Sequence, residues 1–177
     1  KTLITNAQKP AKFLGFDIFI RRSNDLRKDI NGKTIRSLGH VPVLYLNYET
    51  MRKKLFDYKA ARIAVENGKE IWKSIVRTYM IDLDDLEIVS QFNAEIRGFY
   101  NYYSIANNSP AINSFYHIMS YSMYKTFARK YKSSVKKILF QYKKDGTFKV
   151  AYENSKGKTL YQSFYHDGFK RKKIAGA

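Results

Sequence analysis

Two periods divide the chain. From Leu3 to Leu46 apolar and polar residues alternate, and from about Met51 to Lys144 apolar residues recur every three or four positions. These are the marks of half-buried strands and of amphipathic helices. In the first region Leu3-Ile4-Thr5, a turn around Asn6 to Pro10, and Phe13 to Ile20 predict two antiparallel strands. Leu26 to Ile30, Asn31-Gly32 and Lys33 to Leu38 predict a second hairpin, because Asn-Gly tolerates the positive φ of a type I′ turn. Val43 to Leu46 is a last extended piece after Gly39, His40 and Pro42.

Met51, Leu55 and Tyr58 open a first helix, which the pattern lets continue through Ile63 until Asn67-Gly68 stops it. Lys69 to Ile81 fits neither period. A long helix capped by Asp82 follows, with Leu86, Val89, Phe92, Ile96, Phe99 and Tyr103 on one stripe. Ser109-Pro110 opens the next, whose face is Ile112, Phe115, Tyr116, Met119, Met123 and Phe127, to about Lys130. A further helix, seeded by Ser133 or Ser134, presents Val135, Ile138, Leu139 and Tyr142 and ends at Asp145-Gly146. Phe148, Val150 and Tyr152 alternate, Asn154 to Gly157 turns, and Thr159 to Tyr161 pairs back. Phe169 to Ala177, with Lys170, Arg171, Lys172 and Lys173 together, reads as a solvated basic tail. The sum is an α+β chain, mainly α, in three regions: 1–46 with short β-hairpins, 47–145 helical, and 146–177 with a small hairpin and the tail.

Composition narrows the partners. In 177 residues, 33 Lys and Arg face 15 Asp and Glu, a formal charge of +18 that selects polyanions. With 44% hydrophobic residues, 15 Tyr and 12 Phe, the chain is too apolar to be a disordered basic tail and supplies a real core. The absence of Cys removes disulfides, thiolate metal sites and thiol catalysis, and His40, His117 and His166 lack metal-ligand spacing. No apolar run is long enough to span a membrane, so the partner set expected is nucleic acid without membrane. Lys1 is not an initiator Met and the opening residues read as strand, so the sequence reads as part of something longer.

Three constellations bear on chemistry. Asp82, Asp84 and Asp85 invite comparison with paired metal-binding aspartates. They open a helix, however, where acids complement the macrodipole and cap free N–H groups, and that reading is preferred. The run from Tyr121 to Lys137 sets Tyr121, Lys125, Arg129 and Lys132 at spacings of three and four, an expected exposed cationic stripe beside the apolar one. Such a stripe tracks a phosphate backbone while tyrosine faces stack on unpaired bases. Gly98 sits mid-helix, where it costs about 1 kcal/mol relative to Ala, so either a neighbouring helix packs closely there or a nucleic-acid backbone approaches. Arg97, Tyr100 and Asn101 share the adjacent face.

Three of these segments, in order, resemble the C-terminal half of the group II intron-encoded reverse transcriptases, the maturases. Lys1 to Thr5 with Phe13-Leu14-Gly15-Phe16-Asp17-Ile18 resembles the end of the polymerase palm. Glu95-Ile96-Arg97-Gly98-Phe99-Tyr100-Asn101-Tyr102-Tyr103 with Ala106-Asn107-Asn108 resembles the thumb and maturase signature. Lys125-Thr126-Phe127-Ala128-Arg129-Lys130-Tyr131-Lys132, followed by Ser134, Val135 and Lys136, resembles the RNA-binding region called domain X. The likeness covers about Lys1 to Lys144, and Phe148 to Tyr161 matches no motif of the family.

The resemblance implies a thumb and domain X segment that binds structured intron RNA to assist splicing and clasps the template-primer duplex during RNA-directed DNA synthesis. Phe13, Leu14, Gly15 and Phe16 inherit a primer-grip role. Lys125, Arg129, Lys130, Lys132, Lys136 and Lys137, with Arg97 and Tyr100, inherit RNA binding. The family's Tyr-x-Asp-Asp pair is expected before Lys1, so this segment carries no catalytic residue and no cofactor of its own, and Mg2+ is expected for the parent enzyme. The compartment implied is intracellular, a bacterial cytoplasm or an organelle. Two other classes compete: a non-enzymatic basic DNA-binding architectural module, and a metal-dependent nuclease built on Asp82, Asp84 and Asp85.

Overall fold

The computed structural model describes residues 6–21, 26–36 and 41–172. Its elements run β1 (Ala11–Phe13), β2 (Phe16–Arg21), β3 (Leu26–Lys28), β4 (Thr34–Arg36), β5 (Val41–Leu46), α1 (Tyr48–Asp57), β6 (Ala61–Glu66) and β7 (Lys69–Ser74). A 3-10 turn at Thr78–Met80 then leads to α2 (Asp85–Tyr103), α3 (Ile112–Lys130), α4 (Val135–Tyr142), β8 (Lys143–Lys144), β9 (Thr147–Glu153) and β10 (Thr159–Ser163). The α+β class stands, with α2 and α3 at its centre.

Tight turns set the β topology. Leu14 and Gly15 have φ of 50° and 81°, so the segment read as one strand from Phe13 to Ile20 folds back on itself in a type I′ turn, with Phe13 opposite Phe16. Leu3-Ile4-Thr5, expected as its partner, lies outside the described residues. β2 pairs instead with β1 and with β5, placing Phe16 opposite Leu46. The Asn31-Gly32 hairpin forms, but only Gly32 is left-handed, and Gly32 N–H donates to Asp29 C=O at 3.0 Å. That is a type I turn followed by a bulge rather than type I′.

Asn67-Gly68 and Asp145-Gly146 were expected to stop helices. Both residues of each pair have positive φ and each joins two antiparallel strands, β6 to β7 and β8 to β9. The first helix therefore ends at Asp57, and Ile63 belongs to a strand.

Helix α2 starts two residues later than Asp82 would place it: Asp84 is the cap, and the Glu87 carboxylate accepts from the Asp84 N–H at 3.2 Å in a capping box. The stripe Val89, Phe92, Ile96, Phe99 and Tyr103 is buried, as is the α3 stripe from Ile112 to Phe127. The two helices run antiparallel. Phe99 stacks on Phe115 at 4.2 Å near one end, and Lys130 pairs with Asp85 at 2.7 Å at the other. Between them lies Arg77, fully buried, its guanidinium 2.7 Å from Glu95 and 4.0 Å from the Phe92 ring centre.

Polar side chains then fasten the flanking segments. Ser122 and Lys125 donate to the carbonyls of Ile75 and Ser74 at 2.7 Å each, and the Arg77 N–H donates to Thr126 Oγ1 at 3.0 Å. Asn107 and Asn108 accept from the N–H groups of Leu44 and Leu46 at 3.1 and 2.7 Å, fixing the first sheet to the α2–α3 connection. Asn93 grips Ser163 C=O and Tyr165 N–H at 2.8 Å each.

Up to Lys172 the expected basic tail is docked. Phe169 is buried, Tyr100 O–H donates to Lys170 C=O at 2.6 Å, and Lys172 N–H donates to Ser104 C=O at 2.8 Å. Its aromatic anchor accounts for this, because Phe169 packs on Tyr100, Tyr116 and Tyr165. Lys173 and beyond lie outside the described residues.

Candidate nucleic-acid interface

Between Glu95 and Asp145 the sequence carries no acidic residue, while Lys and Arg accumulate toward Lys144. The fold concentrates part of that charge at the C-terminal end of α3. There Val76, Lys125, Ala128, Arg129, Lys132, Ser133 and Val135 line a groove of about 460 Å³. The chain leaves α3 through a Schellman-type stop: Ser133 N–H donates to Ala128 C=O at 2.8 Å and Lys132 N–H to Arg129 C=O at 3.2 Å. The left-handed position of that motif, where glycine is favoured, is Lys132, with φ of 46°. Ser134 then caps α4 through Lys137 N–H, and Lys136 and Lys137 stand exposed on its first turn.

Not every cation of the stripe is free to meet a ligand. Lys125, expected to be exposed, is half-buried with its ammonium on Ser74 C=O. Lys130 points the other way, to Asp85 at 2.7 Å and Leu83 C=O at 2.6 Å. The same Asp85 carboxylate accepts from the hydroxyls of Tyr131 and Tyr142 at 2.7 and 2.9 Å. Burial, then the hydrogen bonds to Tyr131 and Asp85, holds the Tyr142 hydroxyl protonated well above the usual tyrosine range. Burial also pushes Tyr124 up to about 12. Asp84 caps the helix and Asp85 is paired, Asp82 lies exposed before the cap, and among the described residues no three His, Asp or Glu converge on a metal position.

The N-terminal hairpin splits the four primer-grip positions. Phe13 and Leu14 are exposed at 60% and 65%, whereas Phe16 is buried against Tyr102 and Tyr103. Gly15 takes its positive φ, and a Cβ there would overlap the Tyr103 hydroxyl, so the close approach it permits is to Tyr103. Tyr102 O–H donates to Leu14 C=O at 3.1 Å, tying the hairpin tip to the end of α2.

Beside it Lys54, Tyr58, Gly98, Phe99, Tyr102 and Tyr103 line a cavity of about 330 Å³. A Cβ on Gly98 would meet nothing within 4 Å, which overturns the expectation of a helix packed there. Arg97 is exposed, but Tyr100 is half-buried and occupied by Lys170, so these two line a separate pocket of about 240 Å³ with Asn101, Tyr165, Asp167, Gly168 and Lys172. The hairpin tip and the cationic groove sit at opposite ends of the helix pair, a separation set by the 19 residues of α2, roughly 28 Å.

Sequence reasoning passed over Arg77, Asn93 and Phe140. Arg77 lies in the stretch that fits neither period, and its burial follows only from α2 and α3 closing over it. Asn93 falls on the apolar stripe, a buried polar position that needs a partner, and that partner is supplied by residues 163–165. Phe140 sits off the apolar face of α4 and is 92% exposed. No helix among the described residues is long and apolar enough to cross a membrane.

Comparison with known proteins agrees with the resemblance. The profile of the type II intron maturase family matches residues 44–174. The chain is 37% identical over 159 residues to the group II intron-encoded protein LtrA of Lactococcus lactis subsp. cremoris, covering 89% of this chain and 26% of that protein. It is 33% identical over 144 residues to a putative COX1/OXI3 intron 1 protein of Saccharomyces cerevisiae, covering 75% of this chain and 16% of that protein. The chain thus spans about a quarter or less of the relatives it matches.

Proposed function

This chain belongs to the type II intron maturase family, and on that premise we propose that its cationic end binds structured intron RNA to assist splicing. The observation that carries the reading is Lys132. A non-glycine residue in the left-handed position costs of the order of 1 kcal/mol, and the side chain kept at that cost is a cation on the rim of a groove shared with Arg129. Phosphates supply the complementary charge, and Lys136 and Lys137 extend the cationic surface onto α4.

At the other end, the exposed Phe13-Leu14 tip and the Lys54–Gly98 cavity are where a template-primer duplex would lie during RNA-directed DNA synthesis. Polymerisation belongs to the longer protein. Mg2+ is expected for that longer protein.

The test is filter binding at physiological salt. Intron RNA is expected to bind more tightly than random duplex DNA of equal length, and equal affinities would overturn the proposal in favour of an architectural DNA-binding module. With Lys125 and Lys130 engaged internally, Arg129, Lys132, Lys136 and Lys137 remain of the stripe, so log K should fall with log salt with a slope of magnitude roughly 3 to 4 or more. Lys132→Gly should weaken RNA binding while leaving the unfolding midpoint unchanged or higher, because glycine suits that backbone.

A further inference from the structure

Helix α4 turns Val135, Ile138, Leu139 and Tyr142 toward the core and Phe140 away from it. Phe140 is 92% exposed on α4, with Lys136 and Lys137 four and three residues before it on the same helix, and Lys143 and Lys144 follow the helix end in β8. All four lysines are exposed. Lys144 lies 5.4 Å from the centre of the Tyr161 ring, itself half exposed on β10, so an exposed aromatic face accompanies that lysine. No acid lies within α4 or β8, and Asp145, which follows Lys144, pairs with Lys149 at 3.0 Å. An exposed apolar ring with two lysines one helical turn before it and two more just past the helix end does not suit an apolar protein face, which would bury those charges unpaired. It suits a ligand that is planar and apolar at one point and anionic all round.

We propose that Phe140 is a stacking platform for an unpaired nucleobase of the bound RNA, with Lys136, Lys137, Lys143 and Lys144 on the flanking phosphates. A paired stem cannot use the site, because its base faces are already stacked, so the ligand class is RNA with a bulged or looped-out nucleotide. The inference rests on the RNA-binding reading above and adds to it where, and to which nucleotides, the segment binds.

Two RNA hairpins with the same stem, one carrying a bulge of unpaired adenosines and one without, separate the possibilities when titrated with the full chain at fixed salt. Phe140→Ala should weaken binding of the bulged RNA roughly tenfold, leave the paired stem unaffected and leave the melting temperature unchanged. Phe140→Tyr should restore the loss. The double variant Lys136→Ala, Lys137→Ala should weaken both RNAs alike. Phe140→Trp, placed in a Trp72→Phe background, should be quenched by the bulged RNA and not by the stem.

If wild type binds RNA and Phe140→Ala binds the bulged form equally well, the platform is wrong while the maturase reading survives. If wild type binds neither RNA, the reading beneath it fails. Equal losses on both RNAs with Phe140→Ala would also overturn the platform. So would loss of binding to anionic phospholipid vesicles with RNA affinity intact, which would give the patch to a lipid surface.

Discussion

The two ends of the α2–α3 pair are built differently. At the hairpin end, Phe16, Phe99, Tyr102 and Tyr103 interlock and two asparagines hold the sheet by its backbone, leaving the Phe13-Leu14 tip exposed. At the other end, Asp85 absorbs Lys130 and two tyrosine hydroxyls, and Arg129, Lys132, Lys136 and Lys137 are left facing outward. One helix pair thus serves as a fixed joint at one extremity and as a charged surface at the other. A sequence with its cations on a single predicted stripe does not reveal which of them are spent holding the fold.

Breaking the joint should have the largest effect. Phe99→Ala removes a ring stacked on Phe115 and packed on Tyr103, and should cost about 3–5 kcal/mol in denaturant unfolding. A cost below about 1 kcal/mol would show that the joint is not held by packing.

The next effect belongs to the charged half and is pH-dependent. Burial holds Tyr124 at about 12 in the fold against 10.0 unfolded, so its contribution is complete below pH 10 and is lost as pH rises from 10 through 12. Tyr124→Phe has nothing to ionise and should gain up to ~3 kcal/mol on wild type across that window, read from urea midpoints at pH 9 and 11.5. An unchanged difference would show that Tyr124 titrates as if exposed.

A third comparison separates cations that hold from cations that bind. Lys125→Ala strands the Ser74 carbonyl and should destabilise the protein by about 2 kcal/mol, whereas Arg129→Ala should leave unfolding unchanged and reduce the salt slope of RNA binding by about one. Equal stability losses would mean that Arg129 also supports the fold.

The smallest effect concerns the cavity beside the joint. Gly98→Ala meets no atom within 4 Å and gains helix propensity, so it should stabilise the chain by about 1 kcal/mol. If the same variant weakens template-primer binding, a nucleic-acid backbone lies against that glycine. If it does not, Gly98 is only a weak point in α2.

The helical stripes were legible because burial repeats at 3.6 residues and nothing local contradicts it, as Phe92, Ile96, Phe99 and Met119 show. Asx-Gly pairs were not, for a physical reason. A left-handed Asn-Gly or Asp-Gly ends a helix as readily as it closes a hairpin, and only the residues on either side decide. Ile63 and Val65 before Asn67, opposite Trp72 and Glu70, are the β-branched residues of a strand, a signal outweighed by the helical face leading up to Tyr58. Leu14-Gly15 was missed because leucine rarely takes positive φ, and it does so here where Tyr102 and Tyr103 anchor the turn. The cationic site was half legible. Spacing placed Arg129 and Lys132 together, but that Lys125 and Lys130 are consumed depends on Ser74 and Asp85, distant in sequence and brought near by folding.

The Asn107-Asn108 pair has a consequence for how this protein keeps company with others. Strand β5 lies at the rim of its sheet, and such a rim ordinarily offers a row of free amides on which a foreign strand can template itself. Here Leu44 and Leu46 are already matched by asparagine amides, and Pro42, two residues further along, has no N–H to offer. That rim is sealed from within, so a foreign strand finds no template along β5.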